Sequence, residues 1–368
     1  MRGLQSVLNE FALSGLKPNI VLVWRHGDDF VNLGDREACA KFSQALGRHL
    51  IVKVRGTLGP RPECGDVQEL SVLNRLVRWV RTESSEQVEY EPDPRHVELL
   101  LRQLGLEGAS AKAQVNPGQK VAAGSEWTLE APLGSEEAAV YRSVCMRCAY
   151  LAQDRPELQY PTKEAARVMH APTVAGWNVL KRIGRFLKGC PRVVAVYRKQ
   201  QLPTNLSVYS DTDHQGCPRT RHSTSCTAVM LGGHWIKSSA TTQKGISLSS
   251  GESEFHGIVK SACFGLGFRT LLHDWAVGIS VQLMVDATAG KGIAERRGVG
   301  KVRHLHASLL WVQKVVEKRE LAIRKIPRAQ NVADLGTHFV DTATMWAHLK
   351  NLGFERREGQ SRIALKAA

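Results

Sequence analysis

From Leu206 onward three short β-forming runs follow one another, "LSVYSD", "STSCTAVMLG" and "GHWIKSSA". A helical stretch, "SSGESEFHGIVKSACFGLGFRTLLHDWA", comes directly after them, with serines available as caps and acids in its first turn. "VQLMVD" reads as a fourth strand and "LAIRKI" as a fifth. Between them "RHLHASLLWVQKVVEKRE" predicts a helix with Leu305, Leu309, Val312 and Val316 on one stripe, and "QNVADLGTHF" starts a last helix. The order βββαβααβα predicts a self-contained α/β unit of roughly 140 residues, an ordinary domain size.

Within this unit certain acids lie where strands end or helices begin. Asp211 closes the first strand in "VYSDTDHQG", and Asp286 ends the fourth in "MVDATAG". Glu252 and Glu254 fall in the first turns of the long helix, and Asp334 opens the last one in "NVADLG". Each has an ordinary local explanation: Asp334 as a cap, Asp286 as a turn former, Glu254 as a solvated acid favoured by the helix dipole. Acids at the same ends of neighbouring strands can nevertheless converge. Four converging carboxylates repel one another unless hard cations sit among them. Two divalent ions roughly 3.5–4 Å apart activate a water and steady the leaving oxygen of a phosphodiester, and magnesium, an oxygen-seeking ion that keeps waters, suits that task.

A second acidic feature stands near the other end of the sequence. In "NIVLVWRHGDDFVNLGD" a run of β-formers ends in Asp28 and Asp29 and then returns to Phe30 and Val31, predicting a buried hairpin with charges at its tip. Buried charges need a partner, and a divalent metal is the strongest common one for paired carboxylates. A helix ("REACAKFSQALGRHL") and a strand ("IVKVRG") are expected next. "LNRLVRWV" and "QVEYEP" follow as strands, then a helix with Val97, Leu100, Leu101 and Leu104 on one face. Residues 108–140 are small, polar and punctuated by Gly and Pro, as in a linker. Past Tyr141 the chain turns helical. In "TVAGWNVLKRIGRFLKG", Trp177, Leu180, Ile183 and Leu187 form an apolar stripe, while Lys181, Arg185 and Lys188 form a cationic one.

The charge is unevenly spread. Lys and Arg number 50 against 35 Asp and Glu, a formal charge of +15. Residues 61–140 hold 14 acids and 8 bases, whereas residues 165–210 hold 8 bases and no acid. Such concentration is the footprint of a protein with a polyanionic partner. No apolar run approaches the length of a membrane-spanning helix, and no charged-then-apolar leader is present. Neither a membrane span nor a secretory signal is therefore expected. Eight scattered cysteines fit a reduced, intracellular compartment, cytoplasmic or nuclear, better than a disulfide framework. Cys145 and Cys148 lack a second Cys/His pair at zinc spacing and read as buried thiols. No glycine-rich nucleotide loop is present.

Taken together, "YSDTDHQGCPRTRHSTSCTAVMLGGHWIKSSATTQKGISLSSGESEFHGI", "VDATAG" and "NVADLGTHF" resemble the RNase H domain of copia-type retrotransposon Pol polyproteins. Upstream, "YRSVCMRCAYLAQDRPELQYPTKEAARVMHAPTVAGWNVLKRIGRFLKG" resembles the segment that joins polymerase to RNase H in that family, and Asp28-Asp29 its polymerase palm. The likeness spans roughly residues 16–355 and is weakest over 108–140. It implies an α/β fold: an α+β palm remnant followed by an RNase H-like mixed sheet flanked by helices. The implied divisions are a truncated palm and thumb remnant at 1–107, a linker at 108–140 and a helical connection at 141–204. An RNase H-like domain at 205–340 and a C-terminal helix and tail at 341–368 complete the list.

The resemblance assigns the catalytic metal-binding acids to Asp211, Glu254, Asp286 and Asp334. Glu254, beside Phe255, is preferred over Glu252, and Asp213 is given a supporting role. It implies two Mg²⁺ ions, with Mn²⁺ as an alternative, and hydrolysis of the RNA strand of an RNA–DNA hybrid. Lys181, Arg185, Lys188 and His304 are candidate nucleic-acid contacts, and other retroelement proteins are candidate partners. Several positions depart from the family pattern: His214 replaces a Trp, His306 and Leu310 stand where a later Asp and His belong, and His338 replaces a Lys. In the family the Asp pair binds polymerase metals, so Asp28 and Asp29 are inherited ligand candidates. The stretch before Asp28 is short and Glu10 is its single acid, so reverse transcription by this chain alone is not expected. The alternative implied is an inactive nucleic-acid-binding remnant or a scaffold within a retroelement complex.

Overall fold

The computed structural model describes residues 21–81, 85–120, 131–217, 219–300 and 302–359. Glu10, Ile20, the middle of the expected linker (121–130) and the end of the expected tail (360–368) lie outside the described residues. In chain order the elements are β1 (Val21–His26), β2 (Asp29–Gly34), α1 (Arg36–Gly47), β3 (Glu69–Val72), β4 (Arg75–Arg81), β5 (Glu86–Glu91) and α2 (Arg95–Gln103). The helices α3 (Ser135–Leu151), α4 (Gln159–Ala166) and α5 (Val174–Gly189) come next, then β6 (Arg192–Arg198). The series β7 (Asn205–Thr212), β8 (Thr224–Leu231), β9 (His234–Thr242), α6 (Ser250–Asp274), β10 (Ser280–Val285), α7 (Thr288–Glu295), α8 (Trp311–Glu317) and β11 (Ala322–Lys325) follows. A 3₁₀ turn (Val332–Gly336), α9 (Thr342–Asn351) and β12 (Phe354–Arg357) complete it.

The sheet that carries the site has the order β11-β10-β7-β8-β9. β7, β8 and β9 are an antiparallel meander, whereas β10 and β11 run parallel to β7. The five strands expected in this unit are all there. β8 is buried at every residue, so its hydroxyls need partners inside the protein: Thr227 bonds Ser261 on α6 at 2.7 Å, and Ser225 accepts from Thr212 at 3.2 Å. α6 crosses the sheet from an N-cap at Ser249, whose side chain accepts from the Glu252 N–H. Gly257 lets the helix lie against the end of β7, since a Cβ there would collide with the Thr212 hydroxyl.

A second, antiparallel sheet has the order β12-β6-β5-β4-β3. It draws strands from three of the expected divisions, because β6 of the connection pairs with β5 on one side and β12 of the expected tail on the other. Neither β6 nor β12 is foreseen in the sequence; the interior of "RVVAVYR" is buried throughout and needs both neighbours. The expected linker is likewise pinned. Asn116 donates to the Val340 carbonyl at 3.0 Å, Arg182 donates to the Gly118 carbonyl at 2.6 Å, and α3 already begins at Ser135. Cys145 and Cys148 are fully buried thiols on α3.

Three other expectations are corrected. The β1–β2 hairpin forms, turning at Gly27 with φ +58°, yet it is a two-stranded ribbon whose tip is exposed. Asp28 and Asp29 therefore stay hydrated, and the desolvation cost that called for a metal does not arise. Residues 51–56 form no strand, and Ile51 is fully exposed; β propensity without a neighbouring edge does not make a strand. The expected helices at 303–320 and from Gln330 shrink to short pieces, a 3₁₀ turn plus α8 and the 3₁₀ turn Val332–Gly336.

Candidate functional site

Register puts the first two acids side by side. In the parallel β7–β10 pair Met284 lies opposite Tyr209, so two residues farther on Asp286 comes level with Asp211. α6 delivers the third acid, Glu254, one turn in from its cap. Gly290 on α7 leaves room for it, since a Cβ there would press on Glu254. The 3₁₀ turn lies over β7 and β8, with Gly336 against Cys226, and brings Asp334 to the same end of the sheet. Asn331, at the start of that turn, ties the parts together: its amide donates to the Ser210 carbonyl at 3.0 Å and to Asp286 Oδ1 at 3.3 Å.

The result is a cleft of about 360 Å³ lined by Asp211, Asp213, Glu254, Asp286, Arg328 and His338, among others. Asp334 does not line it but sits just behind. Oxygens of Asp211 and Asp334 and a ring nitrogen of His338 lie within 4.8 Å of one another, the one such grouping of His, Cys, Asp and Glu found among the described residues. Asp211 and Asp334 are 7% and 5% exposed, so water does little to separate their charges.

Burial, together with repulsion from Asp334 and Asp286, pushes the Asp211 carboxyl up to about 7, against a hydrogen bond from the Thr337 hydroxyl that acts the other way. Burial followed by the charges of Asp211, Asp286 and Asp213 pushes Glu254 up to about 9. Such shifts report first the burial of the carboxyls and then their crowding with like charges. Arg328 is the one Lys or Arg side chain lining the cleft among the described residues, 3.5 Å from Asp334 Oδ1 and 70% exposed.

Glu252 behaves differently from Glu254. Its carboxylate turns back to accept from the Leu248 N–H at 2.7 Å and lies 2.8 Å from His304 Nε2. Although burial works against it, these contacts hold its carboxyl below the usual range. His304 is thus committed to Glu252. Asp213 accepts from the Thr224 backbone N–H and anchors the loop after β7. Of the cationic stripe on α5, Lys188 makes contacts within the protein. Its ammonium is held by the carbonyls of Leu106, at 2.9 Å, and Gly108, so it clamps a loop. Lys181 and Arg185 remain half-buried on the same helix. Asp28 and Asp29 join no metal-ligand grouping among the described residues, and Asp29 faces Arg55 at 3.9 Å. Arg328, Asn331 and Thr337 are site residues that the sequence reading missed, and His338 it noted merely as a departure.

Over 140 residues the chain is 34% identical to the retrovirus-related Pol polyprotein from transposon RE2 of Arabidopsis thaliana, a match covering 38% of this chain and 10% of that one. The chain is thus similar, over part of its length, to a retrotransposon Pol polyprotein. The chain is also 33% identical over 122 residues to an uncharacterized mitochondrial protein of the same plant, covering 33% of this chain and 50% of that protein. It therefore spans a tenth of the first relative and half of the second. No family model matches it. Among solved structures it is similar to the N-terminal RNase H domain of a Mycobacterium tuberculosis protein, at 16% identity and a TM-score of 0.27, covering 40% of this chain and 98% of that domain. The fold of the chain is mixed helix and sheet. Among the described residues, no helix is long and apolar enough to cross a membrane.

Proposed function

We propose that the RNase H-like unit of this chain, residues 205–340, hydrolyses the RNA strand of RNA–DNA hybrids, with Asp211, Glu254, Asp286 and Asp334 holding two divalent cations, Mg²⁺ or Mn²⁺. The observation that carries this reading is the shared cleft, lined by Asp211 of β7, Glu254 of α6 and Asp286 at the end of β10 together with Asp213, with Asp334 immediately behind Asp211. The donor set suits hard cations, because it is made of carboxylate oxygens that lack compensating charge. When bound, the ions would supply an activated water and a stabilised leaving oxygen.

The chain's own residues do the remaining work. Asn331 orients Asp286, and Thr337 orients Asp211, so the two strand-end acids are fixed before substrate arrives. Lys181 and Arg185 are the phosphate contacts, reading backbone rather than base. The palm-like region contributes no polymerase chemistry in this reading, since Asp28 and Asp29 are exposed and belong to no metal-ligand grouping among the described residues.

The test is a cleavage assay on an RNA–DNA hybrid with and without Mg²⁺. Cutting by the native chain that disappears in Asp286→Asn supports the reading. Tight hybrid binding that weakens steeply with salt, without cutting, would instead favour a binding-only remnant. A monomer with no nucleic-acid affinity would remove that reading too, together with the scaffold one.

A further inference from the structure

Four positions downstream of Asp334, His338 stands with Asp211 and Asp334 in a cluster whose ligand atoms all fall within 4.8 Å. We propose that His338 is a metal ligand, and that with Asp211 and Asp334 it makes a mixed oxygen–nitrogen site preferring a first-row transition cation such as Mn²⁺ over Mg²⁺. The inference rests on reading the cleft as a metal site and adds to it a residue and a selectivity.

The hydrogen-bond network fixes which ring nitrogen is available. The Thr337 hydroxyl donates its proton to Asp211 Oδ2, so its oxygen is left to accept from His338 Nδ1, 3.1 Å away. Nδ1, which also lies 3.7 Å from Asp334 Oδ1, therefore carries the ring proton, and Nε2, on the Arg328 side of the ring, has the lone pair. That lone pair faces the Arg328 guanidinium at 3.3 Å, and the same guanidinium nitrogen lies 3.5 Å from Asp334 Oδ1. A positive group thus already bridges the imidazole and the carboxylate, in the manner of a metal ion. Arg328 is 70% exposed and has room to swing out when a smaller, doubly charged cation competes for both partners.

Two further features fit ligation. The Nδ1–H bond to Thr337 is the outer contact that orients a metal-bound imidazole and sets its tautomer. Glu254 lines the same cleft, so a further carboxyl group stands beside the cluster. Imidazole nitrogen raises affinity for Mn²⁺ and later first-row ions far more than for Mg²⁺, which binds almost wholly through oxygen. A lysine at this position, as in the resembling family, offers no such lone pair while charged.

Titration calorimetry of the full chain with Mn²⁺ alone and Mg²⁺ alone tests the selectivity, and pulsed electron paramagnetic resonance of bound Mn²⁺ tests the nitrogen. The native chain is expected to bind Mn²⁺ at least tenfold tighter than Mg²⁺ and to show ¹⁴N coupling from a coordinated imidazole. His338→Ala should lose the coupling and about tenfold in Mn²⁺ affinity, with less than threefold change for Mg²⁺. Arg328→Ala should bind Mn²⁺ severalfold tighter, because the competing cation is gone; its unchanged melting temperature guards against a folding artefact. Equal Mn²⁺ binding by the native chain and His338→Ala, without ¹⁴N coupling, overturns the inference and leaves the carboxylate site standing. Failure of the native chain to bind either ion overturns both.

Discussion

Asp28 and Asp29 at the tip of the β1–β2 hairpin and Asp211 and Asp286 at the ends of β7 and β10 share a local pattern, an apolar β run that terminates in carboxylate. What surrounds them differs. Among the described residues the hairpin pairs only with itself, and its acids project into water opposite an exposed Arg55. The β7–β10 pair lies inside a five-stranded sheet, capped by α6 and the 3₁₀ turn, and these bring Glu254 and Asp334 onto the same spot. Adjacent acids in sequence have produced a solvated tip. Acids far apart in the chain, at matching heights on parallel strands, have produced a cleft with displaced proton affinities. Chemistry here follows convergence and burial rather than local charge density.

The contrast is sharpest in activity. Asp211→Asn should lower hybrid cleavage by at least about 10³-fold, equivalent to roughly 4 kcal/mol of transition-state stabilisation, whereas Asp28→Asn and Asp29→Asn should leave it within about twofold. Single-turnover cleavage of a labelled hybrid measures both. An equal loss from the hairpin variants would show that the two acidic regions work together and would end the distinction drawn above.

Stability of the metal-free chain against pH comes next in size. Unfolded Asp and Glu ionise near their ordinary values of 3.8 and 4.5, while folded Asp211 and Glu254 hold their protons to about 7 and about 9. Between those limits the folded state binds more protons than the unfolded one, so stability falls as pH rises. The slope approaches about 1.4 kcal/mol per pH unit for each proton retained. Urea denaturation from pH 5 to 9 should show the decline, and Glu254→Gln should flatten it most between pH 7 and 9, where Asp211 has already ionised. Adding Mn²⁺ at about 100 times its dissociation constant should return about 2.7 kcal/mol. A flat profile in the native chain would mean that the cleft is not short of positive charge.

Much of this site is written locally. Asp211 and Asp286 stand out because each ends an apolar run, and strand ends are where α/β sheets place ligands. Glu252 and Glu254 are harder to separate in a helix start, though Ser249 and Glu252 have the spacing of a capping box, which commits Glu252 to the backbone. Arg328, Asn331 and Thr337 carry no local mark; they matter through partners far away in the chain, or through a turn whose position is set by the sheet beneath it. The same reason hid β6 and β12. Their pairing joins Val194 with Glu355, and no periodicity in either segment announces the other. Conversely, residues 51–56 have every local mark of a strand but pair with no neighbour among the described residues, and they remain exposed and outside any sheet.

The smallest expected effect belongs to the hairpin itself. Asp29 is about half exposed and its contact with Arg55, at 3.9 Å, joins two side chains that are both well hydrated. Exposed pairs of this kind contribute little, because the Coulomb attraction is weak in water and ordering two flexible side chains offsets it. Replacing Asp28 and Asp29 together with Asn should therefore change the unfolding free energy by less than about 0.5 kcal/mol, with an unaltered denaturant slope. A loss of about 2 kcal/mol or more in the same urea titration, the size that goes with a buried feature rather than a surface one, would mean that the tip is covered in solution by a partner surface. Burial would then hold for both pairs of strand-end acids, and their difference would lie in the partner rather than in the sheet.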